Sequence, residues 1–87
     1  MYLHLGQNVM VRNRDVVGIF DLDNTTWSFR TRRLVERAEQ EGRVIAVGDD
    51  LPRSFVLVRE GDGPPAVYIT ALSSAALSAR AAQNGFE

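Results

Sequence analysis

The sequence predicts a small α+β domain, and three observations carry that prediction. Short β-branched runs alternate with two amphipathic stretches in the order strands, helix, strands, helix; no repeat or linker interrupts them; and 87 residues supply one core, so residues 1–87 form a single domain. A core this small leaves apolar surface uncovered, which makes self-association an expectation.

Residues 2–5 form an apolar run broken by Gly6-Gln7, the pattern of a first strand ending in a turn. Residues 8–11 and the β-branched run 16–20 flank the polar cluster Arg12-Asn13-Arg14-Asp15, which predicts an antiparallel hairpin with an arginine-bearing tip. After the polar loop 21–26, Ser28 stands at the N-cap position of a helix over 29–41, its hydroxyl free to accept from the next turn. Leu34, Val35 and Ala38 are spaced for one face, while Arg32, Arg33, Glu36, Arg37 and Glu39 read as a solvated one. Gly42 ends this helix, because glycine enters the left-handed conformation without steric cost.

A strand follows over 43–47, then an acidic turn. Residues 54–59 and 66–70 flank GDGPP and predict a second antiparallel hairpin. Ser73 or Ser74 caps a final Ala-rich helix reaching about Gln83, with Leu77 and Ala81 on its buried face and Gly85 beyond its end.

Composition narrows the function. Without cysteine there is no disulfide, thiolate metal site or Cys nucleophile, and His4, the one histidine, cannot build a His-rich site, so no metal or cofactor is expected. No apolar run approaches the roughly 20 residues of a membrane span and no signal-like segment opens the chain, so a cytoplasmic protein without membrane attachment is expected. Net charge is -1, unlike a strongly basic nucleic-acid-binding domain. All ten basic residues are nevertheless arginine, the side chain suited to bidentate phosphate contacts; arginine-biased codon usage explains the same fact.

Asp21-Leu22-Asp23-Asn24-Thr25 resembles the DxDxT motif of the haloacid dehalogenase superfamily, in which the first Asp is the nucleophile and magnesium bridges carboxylate and phosphate. Val47 to Asp50 resembles that superfamily's acidic motif. The chain is too short for its Rossmann-like sheet, the acidic motif follows too soon, and no lysine is present, so no catalytic residue is assigned and a non-enzyme is expected. In that reading Asp21 and Asp23 solvate a strand-to-helix loop.

A second resemblance spans most of the chain. The opening Met-Tyr-x-His-Leu-Gly, Arg14-Asp15 before an apolar strand, Arg53-Ser54 before another, and Leu72-Ser73-Ser74 at the last helix resemble the bacterial extracellular matrix regulatory protein family, in particular its RemB branch. The resemblance implies a small cytoplasmic regulator, and in the family's RemA branch such a protein is a DNA-binding transcriptional activator of matrix genes that assembles into ring-like homo-oligomers and presents arginines to DNA. Arg14 and Arg53 fall where the family carries basic residues. Asp50-Leu51 stands where the RemA branch has an arginine pair.

The expected nucleic-acid-binding residues are therefore Arg12, Arg14 and Arg53, forming a contact edge on each subunit with double-stranded DNA as partner. Local ion pairs to Asp15 and Asp50 are the competing account of these arginines. The other functional reading is an oligomeric interaction module without DNA affinity, mixing into rings of a paralogous protein. Tyr2, Phe20, Phe55 and Tyr68 belong to core or subunit contacts, and Trp27 covers the helix start or lies at an interface.

Overall fold

In the computed structural model, which describes residues 2–23 and 27–84, the chain forms three layers around a four-stranded sheet. The elements are β1 (Tyr2–Gly6), β2 (Val9–Arg12), a 3-10 turn (Asn13–Asp15), β3 (Val16–Asp21), α1 (Phe29–Gln40), β4 (Val44–Val47), β5 (Ser54–Val58), β6 (Ala66–Thr70) and α2 (Ser74–Asn84). The central sheet has the order β3-β5-β6-β4, and β1-β2 form a separate two-stranded sheet.

Both faces of the central sheet are covered, and alternation along β5 shows how. Phe55 and Leu57 point to one face, with Val67 and Ala38, where Leu34 and Val35 of α1 pack against them. Val56 and Val58 point to the other, into a cluster with Leu3, Leu5 and Val11 of the β1-β2 hairpin and Leu77 and Ala81 of α2. All five β5 residues are buried, so past Ser54 this strand reads as a continuous apolar run, Phe55 to Val58, and not as alternation.

Buried hydroxyls join the layers. Thr70 Oγ1 donates to the Leu5 carbonyl at 2.7 Å and accepts from the Leu72 N–H, while Ser54 Oγ donates to the Leu72 carbonyl. Each pairs a buried polar group that would otherwise cost free energy.

The two helices begin and end as the sequence predicts. Ser28 Oγ accepts from the Thr31 N–H at 3.2 Å, and Gly42 adopts φ +73° just past the end of α1. Ser73 Oγ accepts from the Ala76 N–H, which makes Ser73 the cap of α2. Gly85 and loop residues 24–26 lie outside the described residues.

Two strand expectations are corrected. The first hairpin is β1-β2, turning at Gly6, Gln7 and Asn8, and not a pairing of β2 with β3 around Arg12 to Asp15. Those three turn residues all take positive φ (108°, 48° and 65°), the backbone a tight turn needs. Asn13 is no solvated tip: it is buried and donates to the Ala81 carbonyl of α2 at 3.4 Å, anchoring the turn by which the chain leaves one sheet for the other. The sheet is also not all antiparallel, since β4 pairs with β6 in parallel. α1 carries the chain back across the sheet, so β4 starts from the same end as β3, and the predicted β5-β6 hairpin is inserted between them.

Phe55 stacks on Phe20 at 4.9 Å and meets the Trp27 edge at 4.7 Å. Phe55→Ala is expected to lower stability by about 3–5 kcal/mol in denaturant titration. Thr70→Val, which keeps the shape but strands the Leu5 carbonyl, is expected to cost about 1–3 kcal/mol; an unchanged midpoint would contradict the role given to that hydroxyl.

Candidate nucleic-acid interface

The arginines divide into those the fold uses and those it leaves to solvent. Arg12 Nε donates to Asp15 Oδ2 at 2.9 Å. Arg43 pairs with Glu41 at 2.7 Å and donates to the Pro65 carbonyl, tying the end of α1 to the start of β6. Arg59 donates to the Gly63 and Asp62 carbonyls and holds the β5-β6 turn, and Arg80 of α2 donates to the His4 carbonyl of β1. Arg32 also has a partner.

Arg14, Arg30, Arg37 and Arg53 are exposed, and their side chains have no hydrogen bond or ion pair among the described residues. Two of the three predicted contacts, Arg14 and Arg53, are thus free to meet an anion. Arg12 is partly neutralised by Asp15, the local pairing weighed against it, whereas no Arg53–Asp50 pair is present among the described residues.

Backbone pairing fixes where these side chains start. The Arg59 N–H donates to the Asp15 carbonyl at 2.8 Å, which puts the Arg12–Arg14 turn at the C-terminal end of β5. At the other end, the Leu22 N–H donates to the Arg53 carbonyl at 3.0 Å and the Arg53 N–H to the Thr70 carbonyl at 2.9 Å. Arg12 and Arg14 therefore sit together, while Arg53 lies a strand length away, about 20 Å at roughly 3.4 Å per residue. Within one subunit these residues form two separate points.

A third basic feature lies on α1. Arg30, Arg33 and Arg37 line one shallow depression with Phe29 and Leu34, and the Arg33 guanidinium sits 5.5 Å over the Phe29 ring. Sequence reasoning treated Arg33 and Arg37 as ordinary solvated positions and passed over Arg30. The signal available was their spacing of three and four residues, which stacks them on one flank while Glu36 and Glu39 turn elsewhere.

The aspartate loop does not gather a metal-like cluster. Asp21 Oδ1 accepts from the Asp23 N–H at 2.8 Å, a local turn, and no group of three or more His, Cys, Asp or Glu able to hold a metal occurs among the described residues. Thr25, the last residue of the DxDxT-like run, lies outside them. Trp27 Nε1 donates to the Asp21 carbonyl at 3.0 Å, so this ring closes the core beside the helix start.

A small α+β domain with unpaired arginines at both ends of its central strand is therefore the class that fold and surface define. The chain is similar to extracellular matrix regulatory protein B of Bacillus subtilis (strain 168), 32% identical over 83 residues that cover 93% of this chain and 90% of the relative. On that similarity the chain belongs to the extracellular matrix regulatory protein B family. No protein-family model matches it. No helix among the described residues is long and apolar enough to cross a membrane.

With Asp21 engaged in its own turn, the protein is expected to show no magnesium-dependent turnover of a generic phosphomonoester. Turnover that Asp21→Asn abolished would restore the phosphatase reading.

Proposed function

We propose that this protein is a transcriptional regulator that binds double-stranded DNA as a homo-oligomer, through Arg14 and Arg53 with Arg12 in a minor part. The relative's name, which states extracellular matrix regulation, supports the regulatory half. The observation that carries the DNA half is that Arg14 and Arg53 are exposed and unpaired among the described residues, when other arginines are tied to carboxylates or carbonyls.

Assembly follows from their separation. Two isolated cations hold a duplex weakly at physiological salt, and a net charge of -1 adds no attraction. A closed assembly repeats both points and sets Arg14 of one copy near Arg53 of another, turning single contacts into a continuous row. The surface offers means for it: β3 and β4 are open edges of the central sheet, with Val17 and Ile45 exposed on them, and Tyr2 and Met10 are exposed on the hairpin. The ring form and the cytoplasmic setting belong to this proposal.

Arg14→Ala and Arg53→Ala are each expected to weaken duplex binding by about tenfold, roughly 1.4 kcal/mol, and to flatten the salt dependence by about one phosphate per site lost. Arg12→Ala, already paired, is expected to change it less. Fluorescence titration of a labelled duplex at two salt concentrations reads both effects. Binding that ignores salt and these substitutions would overturn the reading, and an assembly blind to DNA that joins a paralogue would instead define an interaction module.

A further inference from the structure

The flank of α1 bearing Arg30, Arg33 and Arg37 is built at a cost that solvation alone does not explain. Arg33 and Arg37 are like charges one turn apart, a placement that destabilises a helix, although Glu36 and Glu39 on the same helix were available to interleave with them. The first turn of α1 holds no acidic residue, so Arg30 there also opposes the helix dipole, whereas Arg37 in the last turn complements it. No carboxylate pairs with Arg30, Arg33 or Arg37 among the described residues. Glu41, four residues past Arg37, is taken by Arg43.

Beside this row stands Phe29, 71% exposed. It contributes nothing to the core beneath α1, where Leu34, Val35 and Ala38 pack. Arg33 covers part of the ring, and the remainder is open to solvent. Arginines in a row with an open aromatic ring at one end are the two components of a single-strand binding surface. Guanidinium groups hold phosphates, and a base stacks on the ring, which a paired base inside a duplex cannot do. From Arg30 to Arg37 the row is about 10 Å long at 1.5 Å per residue, room for a few adjacent nucleotides.

We propose that this α1 flank binds single-stranded nucleic acid, with phosphates on Arg30, Arg33 and Arg37 and an unpaired base on Phe29. The site is distinct from Arg14 and Arg53 and does not rest on the duplex-binding reading. An acidic peptide would use the arginines but leave Phe29 idle, and for that reason nucleic acid is favoured.

The test uses the full chain and a labelled mixed-sequence oligonucleotide of about 20 nucleotides, longer than the roughly 4–16 that a small domain covers, alone and as its duplex. The Arg33→Ala/Arg37→Ala double variant is expected to weaken single-strand binding by about tenfold or more. Phe29→Leu, which keeps an apolar residue but removes the stacking face, is expected to lose severalfold on the single strand and to leave the duplex unchanged. These side chains are exposed, and far-UV circular dichroism checks that the variants fold. Arg14→Ala/Arg53→Ala should retain single-strand binding, so failure of the duplex reading is seen separately. Absent single-strand binding, or binding within twofold of the parent in both α1 variants, would overturn the proposal. So would a fall in particle mass in those variants with single-strand affinity preserved, which would make the flank a subunit contact.

Discussion

Burial of β5 on both faces is the constraint on which the rest of the structure depends. A strand that is apolar at four consecutive positions, Phe55 to Val58, cannot leave either side of its sheet to water, so α1 must cover Phe55 and Leu57, and the β1-β2 hairpin with α2 must cover Val56 and Val58. Ser54 and Thr70 bring polar atoms into this interior only because the Leu72 and Leu5 carbonyls receive them. Charge is thereby expelled to the ends of the strands and the outer flank of α1. The positions of Arg14, Arg53 and the α1 arginines follow from the core.

Local chemistry was legible where it acts over a few residues. Ser28, Gly42 and Ser73 mark helix ends through hydroxyl acceptors and positive φ, and Leu34, Ala38, Leu77 and Ala81 reveal buried faces by spacing alone. What escaped was set by distant partners. Asn13 belongs to a polar cluster that reads as an exposed turn, yet its amide reaches Ala81 across most of the chain, so no local signal distinguishes anchor from tip. The parallel register of β4 depends on α1 crossing the sheet, which strand sequence does not encode.

The candidate site divides in the same way. Arginine is visible in the sequence, but whether a given arginine is available depends on what folding brings beside it. Arg12 and Arg14 look equivalent two residues apart, and only Arg12 meets a carboxylate. Arg59 and Arg80 are consumed by carbonyls, Arg80 by one far away in sequence. Arg53 reads as a neighbour of Arg14 in function, while strand pairing sets it at the opposite end of β5. In the duplex-binding reading proposed above, that separation is what calls for association of copies, because a lone subunit offers two points and an assembly would offer a track.

The most direct test of this account is the mass of the particle that binds duplex DNA, measured by analytical ultracentrifugation of the protein alone and with labelled duplex at moderate salt. The account predicts that the labelled duplex sediments with a multimer, and that dilution below the assembly threshold releases it. A one-to-one complex of a single subunit with DNA, equally tight at every protein concentration, would contradict it.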